Sequence, residues 1–106
     1  MDRPAVLLLE DNPAEATLAE SALLVAGCDI VASPEHAVVA ILGRDALREY
    51  RGKLRIPAVA ILHDPSALEL SRARDCGVRV YERPQTWEDY TALVGRLLSE
   101  LATRKG

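Results

Sequence analysis

The chain has 106 residues, 49% of them apolar and 27% charged, with a formal net charge of −3. That is one domain with one core, and acids interspersed among the arginines exclude the basic stripe that direct nucleic-acid binding requires. No apolar run reaches membrane-span length, and Met1-Asp2-Arg3-Pro4 lacks a signal-peptide layout; a cytoplasmic chain that touches no membrane is expected, with Cys28 and Cys76 reduced.

Ala5-Val6-Leu7-Leu8-Leu9 is continuously apolar, as a central strand covered on both faces must be, and it ends in Glu10-Asp11. Asn12 suits a helix N-cap, Pro13 the first helical position, and Glu15 completes a capping box; the helix runs to Ala26 and Gly27 closes it. Asp29 to Ser33 reads as a short second strand. His36 to Leu42 reads as a third, broken by Gly43. Only Pro34-Glu35 stand between them, too few for a crossover helix between neighbouring parallel strands. Either the chain crosses one end of the sheet between strands that are not neighbours, or 34–55 is largely helical and the third strand is lost. Val38, Val39 and Gly43 favour the strand.

Asp45 to Leu54 predicts a charged helix with Leu47, Tyr50 and Leu54 as its apolar stripe. Ile56 to Leu62 is another buried strand, Asp64-Pro65-Ser66 opens a helix that ends at Cys76-Gly77, and Val78 to Tyr81 is the last strand. After a Glu82-Arg83-Pro84-Gln85 loop, Thr86 caps a final helix that buries Leu93, Val94, Leu97, Leu98 and Leu101. Met1 fits a natural start, and Ala102 to Gly106 reads as a tail or a truncation point. Strands alternating with helices make an α/β domain with a mostly parallel sheet. No nucleophile elbow, P-loop or dinucleotide-binding glycine motif is present, so no enzyme is expected.

Three local patterns resemble response-regulator receiver domains: Val6-Leu7-Leu8-Leu9-Glu10-Asp11-Asn12-Pro13, Ala26-Gly27-Cys28, and Cys76 through Pro84. The resemblance covers nearly the whole chain, 1–106, as a single receiver-like domain. It implies a flavodoxin-like sandwich, a five-stranded parallel sheet of order 2-1-3-4-5, with the second helix missing or very short. In that family an acidic pair and an aspartate ending the third strand hold Mg²⁺, and the aspartate accepts a phosphoryl group. A lysine before a proline, a Ser or Thr ending the fourth strand and an aromatic on the fifth respond to it.

Carried onto this sequence, the acidic pair falls at Glu10 and Asp11, and the acceptor at Ile41, or Leu42 if the register slips by one. Asp45 lies further along and reads as a helix cap. The Ser/Thr position falls at Leu62, the lysine at Arg83 with Pro84 retained in the family's cis form, and the aromatic at Val80, with Tyr81 on the other face. Hydrocarbon beside the acidic pair weakens any Mg²⁺ held by Glu10 and Asp11, so no cofactor is expected. Arg83 instead is expected to fork onto the two carboxylates. The implied function is a phosphorylation-independent pseudo-receiver of two-component phosphorelay signalling. It would act by protein contact or self-association through the last strand and last helix, with Arg79, Tyr81, Gln85 and Trp87 as interface candidates. The alternatives are an active switch that uses Asp64 as acceptor, and a ligand-binding regulatory domain. His36 and His63 are too far apart in sequence to suggest a phosphotransfer or metal site.

Overall fold

The computed structural model describes residues 3–104. Met1, Asp2, Lys105 and Gly106, the extremities of the expected leading segment and tail, lie outside them. The elements in chain order are β1 (Ala5–Leu9), α1 (Pro13–Val25), β2 (Asp29–Val31), a single 3-10 turn (Pro34–His36), β3 (Val39–Leu42), α2 (Arg44–Glu49), β4 (Ala58–Leu62), α3 (Ala67–Asp75), β5 (Arg79–Glu82) and α4 (Trp87–Arg104). All strand pairs are parallel and the sheet order is β2-β1-β3-β4-β5. The expected architecture is therefore present, and the second crossover has shrunk to a 3-10 turn.

That short crossover works because β2 and β3 are not neighbours: both lie against β1, with Ile30 and Val39 level with Val6. Residues 32–38 have only to pass over β1, two strand spacings, which seven residues of chain span easily. The Val38 N–H donates to the Ala5 carbonyl at 2.8 Å, and Ala37 is buried over Leu7. The rival reading, a long helix over 34–55, is overturned by β3. The helix expected over Asp45 to Leu54 is also corrected: it spans only Arg44–Glu49, and the extended φ/ψ of Tyr50 stops it.

Side chains alternate between the sheet faces. Val6, Ile41, Val59 and Ile61 pack under α1 and α4, with Leu23, Tyr90, Leu93, Val94 and Leu97. Leu7, Ala40, Leu42, Ala60 and Leu62 face α2 and α3, with Leu47, Ala73 and Val78. β3 and β4 are buried along their whole length, which is why they read as unbroken apolar runs. Gly27 and Gly77, each just past a helix end, hold φ of +86° and +73°, the left-handed geometry that closes a helix best with glycine.

Local capping is partly redistributed. Asn12 Oδ1 accepts from the N–H groups of Ala14 and Glu15, but the Asn12 N–H goes to Glu10 Oε2 at 3.1 Å, so Glu15 does not complete the expected box. The reciprocal box is on α3: Ser66 Oγ accepts from the Glu69 N–H at 3.1 Å and Glu69 Oε1 accepts from the Ser66 N–H at 2.9 Å. Those bonds, led by the Ser66 backbone N–H and joined by the Arg44 guanidinium, hold the Glu69 carboxyl below its ordinary range despite burial. Ser66→Ala is expected to cost about 1 kcal/mol of unfolding free energy, read from the urea midpoint.

Candidate functional site

The site expected from the acidic pair forms at the carboxyl ends of β1 and β3. Leu9 is level with Leu42, and the Gly43 N–H donates to the Leu9 carbonyl at 2.7 Å. The residue beside Glu10 across the ladder is therefore Gly43, and this corrects the expected placement. Ile41 is level with Leu8, one side-chain repeat deeper on the same face and buried, while Leu42 faces α2 and α3. Hydrocarbon does not fill the pocket. Glu10 does: a Cβ built on Gly43 would land on the Glu10 carboxylate, well inside van der Waals contact. Glu10 has thus laid its carboxylate into the space where a side chain at 43 would stand.

Gly43 is also the N-cap of α2, with φ −82° and ψ −177°, extended backbone that any residue adopts. Asp45, expected to cap, sits in the first turn of that helix instead. Asp11 is exposed.

Arg83 does not fork onto Glu10 and Asp11. Its Nε is fully buried and stands 3.3 Å from Glu15 Oε1, an ion pair without hydrogen-bond alignment. Its backbone N–H donates to the Leu62 carbonyl at 2.8 Å and anchors the loop after β5 to the end of β4. Pro84 follows a trans peptide: no cis bond occurs among the described residues. Tyr90, on α4, lies beneath this corner. Burial, then the charges of Glu15 and Glu10 opposed by Arg83, push its hydroxyl up to about 12. Unfolded, it loses its proton near pH 10, so between those values the unfolded chain holds fewer protons and stability falls as pH rises. Unfolding free energy should drop by about 2 kcal/mol from pH 9 to pH 12 through this group; Tyr90→Phe should flatten that fall in urea titrations.

The remaining candidates separate. Asp64 follows β4, which β3 separates from β1, so it does not face the acidic pair. It holds φ +48°, and its N–H donates to Glu82 Oε1 at 3.0 Å. His63 stands beside Glu82 at 3.8 Å, while His36 is in the 3-10 turn at the opposite end of the sheet. Val80 packs toward α2 and α3 and Tyr81 toward α1 and α4, the alternation expected. Arg79 Nη1 donates to Tyr81 Oη at 3.2 Å and to Glu100 Oε2 at 3.3 Å, joining β5 to the far half of α4. Gln85 and Trp87 are exposed at the other end of that helix. Both cysteines are free thiols, and burial pushes the Cys28 thiol up.

No family model matches the sequence, and no curated protein matches it. Solved structures do match. A CheY-like response regulator receiver domain protein from Methanospirillum hungatei superposes with a TM-score of 0.72 at 14% identity, over 97% of this chain and 99% of that one. The phosphorylated cyanobacterial phytochrome response regulator RcpA gives 0.67 at 18%, over 91% of each chain. An orphan response regulator of H. pylori gives 0.63 at 21%, over 94% and 99%. The chain has the receiver fold of response regulators, complete but for the helix between β2 and β3.

That fold implies a Mg²⁺ at the acidic pair, and the donors here do not fit one. A hard cation needs several oxygens around it. Glu10 Oε2 is taken by the Asn12 N–H, Gly43 supplies no side-chain oxygen, and no cluster of three metal-binding side chains occurs among the described residues. Sequence reasoning placed the acidic pair but missed Gly43. The available signal was that β1 and β3 are apolar runs ending level, so the first residue after each run faces the other.

Proposed function

We propose that this chain is a degenerate receiver: a signalling module of the response-regulator type that takes no phosphoryl group and acts by contact with protein, in the cytoplasm. One observation carries the reading. Gly43 occupies the position that faces the acidic pair, and the Glu10 carboxylate lies in the room that its missing side chain leaves. A receiver switch needs a nucleophilic carboxylate on β3 opposite the pair. Glycine offers none, and the Arg83 guanidinium is drawn to Glu15 on α1. The scaffold then serves as a fixed surface and not as a catalyst.

The contact face that fits this role is β5 with α4. It carries Arg79 and Tyr81 on an edge strand and Trp87, 41% exposed, at the helix start; tryptophan, tyrosine and arginine are the usual anchors of such surfaces. The test is incubation with acetyl phosphate and Mg²⁺, followed by intact-mass measurement. The natural chain should gain no phosphoryl group; an adduct would refute the reading, and its loss in Asp64→Asn would assign the acceptor there.

A further inference from the structure

A second cavity lies at the opposite end of the sheet from Glu10 and Gly43, between the strands and the far half of α4. Its volume is about 360 Å³, and its walls include Val6, Leu23, Ile41, Val59, Val94 and Leu97. The sequence explains the space. The chain contains no phenylalanine, and β1, β3 and β4 present only Val6, Val39 and Val59 to this face at this end, so no large side chain from the sheet fills the space. Interiors pack with few voids larger than a water molecule. Apolar cavities of about 150 Å³ already take up benzene-sized guests, and here the deep wall is apolar while Arg79 and Glu100 stand at the mouth. The volume falls instead in the range of small-molecule sites.

The exposed lining residues, Pro57, Gly77, Arg79 and Glu100, mark the side open to solvent. Arg79 is the cation among them. Its Nη1 alone serves both Tyr81 and Glu100, so Nε and Nη2 remain for a two-pronged acceptor. The pair with Glu100 is exposed on both sides and weak, which leaves it open to competition.

We infer that this cavity binds an amphipathic monocarboxylate, its aliphatic body against Ile41, Val59, Val94 and Leu97 and its carboxylate on Arg79. The site stands apart from the acidic pair and holds whether or not that pair accepts a phosphoryl group. The probes are decanoate and decanol, each below its self-association concentration, added to the full chain. Decanoate should raise the melting temperature and shift the methyl resonances of Val94, Leu97 and Ile41. Arg79→Gln should weaken decanoate about tenfold or more and leave decanol within about twofold, since only the acid uses the guanidinium. Leu97→Trp, or Val59→Phe on the strand facing it, should fill the space and abolish both. The inference is overturned if neither probe moves those methyls, if a folded space-filling variant binds as the natural chain does, or if Arg79→Gln leaves decanoate untouched.

Discussion

Replacing Leu47 by alanine is expected to lower the unfolding free energy by about 3 kcal/mol, a large share of the roughly 5–15 kcal/mol that a domain of this size possesses. Leu47 is 0% exposed and is the buried residue of α2. A six-residue helix does not form alone, so its side chain and two arginines must pin it. Arg72 donates from Nε to the Leu47 carbonyl at 3.1 Å and from Nη2 to the Tyr50 carbonyl at 3.3 Å. Arg44 bonds Glu69 at 2.7 Å and the His63 carbonyl at 2.6 Å. Removing Leu47 leaves a cavity beneath that clamp and loosens the segment that begins at Gly43. Urea unfolding checks it. Leu68→Ala is the control: Leu68 is 79% exposed and should change stability by no more than about 0.5 kcal/mol. A loss under about 1 kcal/mol at Leu47 would mean that the arginines alone hold α2.

What could be read from the sequence was what neighbouring residues decide. Asn12-Pro13 starts α1, and Gly27 and Gly77 close their helices, because capping is settled within one turn. β1, β3 and β4 stood out because strands buried on both faces are unbroken apolar runs. Register and ion pairing were not legible, since both depend on residues brought together from far along the chain. Counting along the third run led to Ile41, whereas the ladder puts Gly43 beside Glu10. Arg83 was expected on the acidic pair because of its place in the loop; the turn of α1 brings Glu15 to it instead. The Arg79–Glu100 pair and the cavity behind it depend on how α4 lies across the sheet, which no local pattern encodes.

Substituting Gly43 by aspartate is expected to yield a chain that accepts a phosphoryl group from acetyl phosphate in the presence of Mg²⁺, which on the proposed reading the natural chain does not. The backbone at 43 admits the change, since its φ and ψ are ordinary for an L-residue and aspartate is a favoured N-cap. The new Cβ would collide with the Glu10 carboxylate, but that carboxylate is the free end of a flexible side chain, so Glu10 swings aside and the strand stays in place. Three carboxylates then converge where two stood. Without metal their repulsion should cost about 1 kcal/mol at neutral pH; Mg²⁺ should recover it and raise the melting temperature, an effect absent in the natural chain. Beryllofluoride with Mg²⁺ should add to that rise. Transfer should be slow, because Leu62 ends β4 without a hydroxyl and the Arg83 guanidinium is drawn to Glu15. Gly43→Asn separates the contributions: it fills the same space without charge and should neither bind Mg²⁺ nor take the phosphoryl group. If folded Gly43→Asp ignores both Mg²⁺ and acetyl phosphate, residue 43 does not face the acidic pair.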